Sequence, residues 1–139
     1  PCWEETGQAR SLNREKFGLA EIRRDLADPD TLRARVFGGY RHLLRTYQEQ
    51  FGAHPGARQR VLGLGAGVFA LLRTADDGHR VLCVTNVTAE AVRVAIDLAA
   101  HRLPTVGRCV DALSGEAIGV EDGVLDCTFG PYQTRWLVL

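Results

Sequence analysis

The sequence predicts an α+β fold in which two N-terminal helices are followed by an antiparallel β-sandwich. Apolar residues recur at spacings of three and four between Leu32 and Phe51, which is the period of a helix that lies on a larger apolar surface. After residue 58 the pattern changes to short runs rich in β-branched residues, which turn residues separate at regular intervals. Because no long helical pattern interrupts these runs, antiparallel pairing is favoured over a parallel sheet.

The two predicted helices meet at Asp28 and Pro29. The first carries a short apolar stripe and stops there, while Asp28 can cap the second helix and Pro29 suits its first position. Gly38 and Gly39 each cost about 1 kcal/mol relative to alanine, so tertiary packing has to hold the second helix. Its apolar face consists of Leu32, Val36, Tyr40, Leu44, Tyr47 and Phe51, with Phe37 and Leu43 widening it.

Seven strands are predicted in the second part of the chain. A hairpin turn at Asp76, Asp77 and Gly78 joins the second strand to the third, and Gly130 with Pro131 separates the last two. The predicted strands are Arg60–Leu64, Val68–Thr74, Arg80–Asn86, Val92–Leu98, Arg108–Ala112, Val124–Phe129 and Tyr132–Leu139.

Composition excludes several classes of function. The chain has 17 basic and 17 acidic residues in no long blocks, which argues against nucleic acid as a partner. It has no apolar run of membrane-spanning length and no signal-peptide pattern, so we expect a cytoplasmic protein without a membrane partner. Four scattered cysteines, Cys2, Cys83, Cys109 and Cys127, lack metal-ligand spacing, and we interpret them as free buried thiols. No cofactor and no metal are predicted.

A glycine-rich turn at Gly63, Gly65 and Gly67 offers an alternative function. A strand followed by such glycines is typical of turns that let a backbone approach a phosphate or a methionine cofactor. A nucleotide fingerprint has an acidic residue at the end of the next strand, however, and this chain has Asn86 there. We therefore favour hairpin glycines, and keep a small nucleotide- or S-adenosylmethionine-binding domain that uses Gly63–Gly67 as the alternative.

Other candidate sites are weaker. The histidines are not spaced to share a metal, and the loop at Asp76 and Asp77 lacks the alternating oxygen ligands of a calcium site. Trp3, Tyr132 and Trp136 could stack on sugars in a carbohydrate-binding module, but an aromatic residue in an alternating strand is normally part of the core. We predict core positions for these aromatic residues.

Five segments of the chain share a pattern with a known family, and they are ETGQARSLNREKF, TLRARVFGGYRHLLRTYQEQ, FGAHPG, VFALLRTADDGHRVLCVTNVT and PYQTRWLVL. Together they resemble the C-terminal third of sucrose-phosphorylase-like enzymes, which belong to the α-amylase family. The resemblance covers nearly the whole chain, and its first segment is the most specific. In that family a (β/α)8 barrel carries the chemistry, and its last helix leads into an antiparallel β-sandwich.

The resemblance implies a fragment of a larger enzyme. Residues 1–52 would be the end of the barrel, with the active-site loop and the last helices. Residues 53–58 would be a linker, and residues 59–139 the β-sandwich domain. The expected partner is the missing catalytic barrel of the same polypeptide. Without it, we expect the helix Leu32–Phe51 either to self-associate or to pack against the sandwich.

The resemblance also implies a chemistry: retaining transfer of a glucosyl unit from an α-glucoside, through a covalent aspartyl intermediate, to phosphate or another acceptor. The family's catalytic carboxylates lie on barrel strands ahead of this chain, so we predict no catalytic residue here and an inactive chain. One substrate-binding residue is implied, Arg10, which would contact the glucosyl hydroxyls. Asn13 and Arg14 belong to the same motif and would fix the loop.

Overall fold

The computed structural model describes residue 7, residues 16–51 and residues 56–139. Helix α1 spans Leu19–Ala27 and helix α2 spans Leu32–Phe51. The chain divides into two compact units within α2, between Arg41 and His42. The predicted boundaries at residues 52 and 59 remain a prediction, since residues 52–55 lie outside the described chain.

The α1–α2 junction differs from the predicted one. The hydroxyl oxygen of Thr31 accepts a hydrogen bond from the Ala34 amide at 3.1 Å, so Thr31 caps α2. The expectation that Asp28 is this cap is wrong, because its carboxylate accepts from the Asp30 amide inside the turn. Among the described residues, no helix is long and apolar enough to cross a bilayer.

Eight strands in the described chain form one antiparallel sheet in the order β1-β2-β3-β8-β5-β6-β7-β4. The last strand, β8, lies between β3 and β5, so the chain's end joins its early hairpin to its late strands. The strands are β1 Arg58–Leu62, β2 Val68–Thr74, β3 Arg80–Asn86, β4 Val92–Asp97, β5 Arg108–Asp111, β6 Ala117–Glu121, β7 Val124–Phe129 and β8 Thr134–Val138.

The sheet curls around a single core cluster to which every strand contributes. β1 and β4 are at opposite ends of the strand order, yet Leu62 of β1 and Ile96 of β4 belong to the same buried cluster. A flat sheet cannot bring its two edges together, so the curl produces the two-layered antiparallel β architecture that the sequence predicted. The buried cluster is Leu62, Ala70, Leu72, Leu82, Val84, Val94, Ile96, Leu98, Leu103, Cys109, Ile118, Leu125, Phe129 and Leu137.

The sequence correctly predicted most strands and missed one. The hairpin at Asp76–Gly78 is confirmed, because Ala75 and His79 pair across it and Gly78 has a φ of +93°. Strand β1 lies two residues before its predicted position. Strand β6 was missed because its short run has Gly119 at its centre and weak alternation. Asp122 and Gly123, both with positive φ, form the tight turn that pairs β6 with β7.

Candidate docking surface

The apolar face of α2 is exposed to solvent along its length. Leu32 is 73% exposed, Tyr40 64% and Leu44 58%, and Val36 and Phe37 are each about half exposed. We call these five residues the α2 apolar face. Monomeric proteins rarely leave large contiguous apolar patches uncovered, so such a face marks an interaction surface.

A different line of α2 faces the β-sheet unit. His42, Thr46 and Gln50 are spaced by four, which places them one above the other on one side of the helix. The Nε2 atom of His42 lies 2.7 Å from the carbonyl oxygen of Leu113, and the Gln50 Oε1 atom lies 3.1 Å from Nε2 of His79. Thr46 is buried.

The expected packing of the helix against the sandwich is found in the segment of α2 after Arg41, but through the polar line rather than the apolar face. Leu43 and Leu44 remain exposed in the same segment whose polar residues contact the sheet unit. The polar line already fixes this end of the helix. The apolar residues of this segment are left for another surface.

The turn that receives His42 is held by a buried carboxylate. Asp111 accepts hydrogen bonds from the Leu113 amide at 3.1 Å, the Ser114 hydroxyl at 2.7 Å and the Trp136 amide at 2.9 Å. Three donors compensate the loss of hydration of this carboxylate. Because Trp136 lies on β8, Asp111 ties the β5–β6 turn to the centre of the sheet and gives α2 a rigid anchor.

Buried Asn86 joins three loops at one end of the sheet. Its amide nitrogen donates to the carbonyl oxygens of Glu90 at 2.6 Å and Gly130 at 2.8 Å, and its oxygen accepts from the amide and the hydroxyl of Thr88. Thr88 in turn packs on the β1–β2 turn, where a Cβ on Gly67 would lie 2.6 Å from its methyl group. Asn86 is thus a structural residue.

The glycine-rich turn is a hairpin. Gly65 and Gly67 have positive φ and lie between β1 and β2, which pair antiparallel, and the Gly67 carbonyl oxygen accepts from the Val87 amide. A phosphate cradle would continue from the glycine-rich turn into a helix, whereas the turn at Gly63–Gly67 leads into strand β2. The geometry of a strand–turn–helix phosphate cradle is not met at Gly63–Gly67.

The other predicted sites include residues that the structure does not describe. Arg10, Asn13 and Arg14 lie outside the described residues, so the predicted role of Arg10 stays a prediction. Asp77 accepts a hydrogen bond from the His79 amide within the hairpin turn. Within the described ranges, no three histidine, cysteine or acidic residues are grouped to hold a metal ion.

The aromatic residues expected in the core lie outside it. Trp136 is half-buried and alternates with Leu137, which occupies the core. Tyr132 is exposed in a turn with a φ of +54°. The prediction of core positions is therefore wrong for both residues, because the register of β8 directs Leu137 inwards. Trp3 lies outside the described residues.

Three described cysteines are free thiols. Cys109 is buried, whereas Cys83 and Cys127 are half-buried. Burial raises the pKa of the Cys83 and Cys109 thiols to about 11, and it also raises the pKa of Cys127. These thiols are protonated at neutral pH and poorly suited to act as nucleophiles.

Sequence comparisons give the chain two kinds of relatives. Residues 58–137 match the family described as D-apionate lactonase, C-terminal immunoglobulin-like domain. A glucosylglycerate phosphorylase from Spirochaeta thermophila is 30% identical over 139 residues, covering 96% of this chain and 24% of the relative. A glucosylglycerate phosphorylase from Allomeiothermus silvanus is 41% identical over 86 residues, covering 62% of this chain and 15% of the relative. The chain thus spans a quarter or less of these relatives.

Solved structures with a similar fold include α-amylases. An Anoxybacillus α-amylase matches with a TM-score of 0.56 and 17% identity, covering 67% of this chain and 20% of that chain. AmyP in complex with maltose matches with a TM-score of 0.54 and 20% identity, covering 62% of this chain and 17% of that chain. At such identities the similarity concerns the fold.

Proposed function

The chain belongs to the family of D-apionate lactonase C-terminal immunoglobulin-like domains and is homologous to the C-terminal portion of glucosylglycerate phosphorylases, and on that premise we propose that it is the non-catalytic C-terminal portion of a retaining phosphorylase that acts on α-glucosides. Its β-sheet unit would support a catalytic barrel, and α2 would be the element that contacts this barrel. Both the role and the activity of the whole protein are part of this proposal.

The observation that carries the proposal is the exposed α2 apolar face. Its five residues, Leu32, Val36, Phe37, Tyr40 and Leu44, are each half exposed or more. Burying a side chain of this size contributes about 1.5–3 kcal/mol when it is fully exposed beforehand, so covering this face would contribute about 5 kcal/mol or more. This gain favours a covered face.

The extent of the sequence match favours a phosphorylase over a lactonase as the parent enzyme. The family match with the lactonase domain is confined to residues 58–137, which hold the sheet alone. The alignment with the Spirochaeta thermophila phosphorylase covers 96% of this chain, so it includes helical residues. The helices are the part that would contact a catalytic barrel, and their similarity therefore supports a phosphorylase parent.

The names of these relatives suggest the donor. We infer that the whole protein transfers a glucosyl unit from glucosylglycerate to inorganic phosphate. Arg10 would bind the hydroxyls of the transferred glucosyl unit, since its planar guanidinium can donate two parallel hydrogen bonds. The chemistry itself would depend on carboxylates of the barrel.

The experiment compares the chain with the complete polypeptide of its gene. The open reading frame upstream of residue 1 is translated and expressed with this chain, and phosphate-dependent release of glucose 1-phosphate from glucosylglycerate is measured. We expect activity in the complete protein and none in the chain by itself. An open reading frame without a barrel, or turnover by the isolated chain, would contradict the proposal.

A further inference from the structure

A cleft in the β-sheet unit is lined by four arginines. Arg58 and Arg60 of β1, Arg80 of β3 and Arg102 of the β4–β5 connection line it with Gln59, Leu72 and Thr74, and its volume is about 360 Å³. We call it the arginine cleft. It lies entirely within the sheet unit.

Strand register explains why these arginines meet. Arg58 and Arg60 occupy alternate positions of β1 and therefore lie on the same face. Arg58 is opposite Thr74, and Thr74 is opposite Arg80, so the three residues form a row across β1, β2 and β3. Neighbouring strands are about 4.8 Å apart, which places the Cα atoms of Arg58 and Arg80 about 10 Å apart. Two arginine side chains can reach a common anion across this distance.

Within the described residues, no acidic side chain forms an ion pair with an arginine of the cleft. No aspartate or glutamate is among the described residues that line it. Of its four guanidinium groups, that of Arg60 donates to the His101 carbonyl oxygen at 2.5 Å. The ion pairs recorded for the described chain involve other arginines.

The contact of Arg60 also positions the β4–β5 connection, which contributes Arg102 to the cleft. Its acceptor, His101, precedes Arg102, whose backbone has a left-handed φ of +52°. A non-glycine residue is uncommon in this conformation, which costs on the order of 1 kcal/mol. The turn thus keeps Arg102 beside the β1 arginines, and the contact with Arg60 helps to fix the turn there.

We propose that the arginine cleft binds a small phosphate-bearing anion, either inorganic phosphate or a phosphate monoester. One guanidinium group can donate two parallel hydrogen bonds to two oxygens of the same phosphate. Several arginines that line one concave site suit a small ligand. An extended polyanion would need a basic surface that continues beyond the cleft, whereas the chain as a whole carries no net charge. The Thr74 hydroxyl provides a neutral donor beside the charges.

The test measures binding to the purified 139-residue chain. Inorganic phosphate and glucose 1-phosphate are titrated separately and followed by isothermal calorimetry and by the arginine side-chain signals in NMR spectra. We expect saturable binding with a millimolar or tighter Kd, which weakens as sodium chloride is added. Tighter binding of glucose 1-phosphate assigns the site to phosphate monoesters, and equal or tighter binding of phosphate assigns it to the free anion.

The matched variants are R58Q/R80Q in the cleft and R108Q outside it. All three arginines are at least partly exposed, so the substitutions leave the core intact, which circular dichroism and the melting temperature check. R58Q/R80Q is expected to raise the Kd at least about tenfold, since hydrogen bonds to a charged group are among the stronger ones. R108Q is expected to retain the parental Kd.

Three results would overturn the proposal. One is the absence of saturable binding of either anion in low salt. Another is an equal loss of affinity in R108Q and R58Q/R80Q, which would indicate a general charge effect. The last is a poly-glutamate peptide that binds more tightly than both phosphates, which would assign the cleft to an acidic protein surface. Because no catalytic assay is involved, these results are independent of the proposed phosphorylase role.

Discussion

The substitution Y40E/L44E tests whether the α2 apolar face is a docking surface. Both side chains are more than half exposed in the chain, so burying each in an interface contributes about 1 kcal/mol. In a two-fold symmetric pair of chains each residue is buried twice, and the double variant should therefore lose about 4 kcal/mol of association free energy, or about a thousandfold in Kd. Four buried glutamates would weaken association further.

The assay is sedimentation equilibrium of the parent chain and the variant, combined with binding of an apolar fluorescent dye. The parent is expected to self-associate at micromolar concentration and to bind dye, whereas the variant stays monomeric with little dye bound. At concentrations where the parent is still monomeric, the variant's melting temperature should match the parent's, since both substituted side chains are then in water. V61E is the control, because Val61 of β1 is similarly exposed but lies outside α2.

The reasoning is refuted if the parent chain is monomeric and binds no dye at tens of micromolar. It is also refuted if Y40E/L44E associates as strongly as the parent while V61E does not. In the first case the α2 apolar face has no tendency to be covered. In the second case the edge strand β1, rather than α2, drives association.

The remaining predictions concern stability and the parent enzyme. N86A should lower the free energy of unfolding by on the order of 3 kcal/mol in urea titrations, because it leaves several buried groups without partners. G67A should cost about 1–3 kcal/mol by the same measurement, since φ there is +79° and the new Cβ would contact Thr88. Stability should fall as pH rises from 9 towards 11, because Cys83 and Cys109 ionise less readily in the folded chain than in the unfolded one, and serine at both positions should flatten this decline. In the complete enzyme, R10K should lower kcat/KM at least about tenfold, since lysine cannot replace paired hydrogen bonds.

Matched variants separate the causes of the two stability effects. Gly65 also has a positive φ, of +108°, but a Cβ there would meet no atom within 4 Å. G65A should therefore show only the conformational cost and remain more stable than G67A. In the G67A background, T88S removes the methyl group that the new Cβ would contact, and part of the lost stability should return. A G67A/T88S variant no more stable than G67A would exclude the steric cause.

Part of the fold could be predicted from local sequence signals. The period of α2, the hairpin at Asp76–Gly78 and the strands β2, β3 and β7 follow from side-chain alternation and turn chemistry within a few residues. Strand β6 could not be recognised, because Gly119 interrupts a run of only five residues that pairing with β5 and β7 stabilises. The cap of α2 was misassigned, since both Asp28 and Thr31 are good caps and the geometry of the turn selects between them.

What the sequence determined by itself is most of the secondary-structure elements and the amphipathic character of α2, because both depend on residues that are close in the chain. The tertiary structure decided which side of α2 contacts the sheet, because this choice depends on His42 meeting Leu113, 71 residues later. It also decided that β8 enters between β3 and β5, and that Arg58, Arg80 and Arg102 share one cleft. Such groupings arise from the curl of the sheet, which only the packing of all eight strands around one core can set.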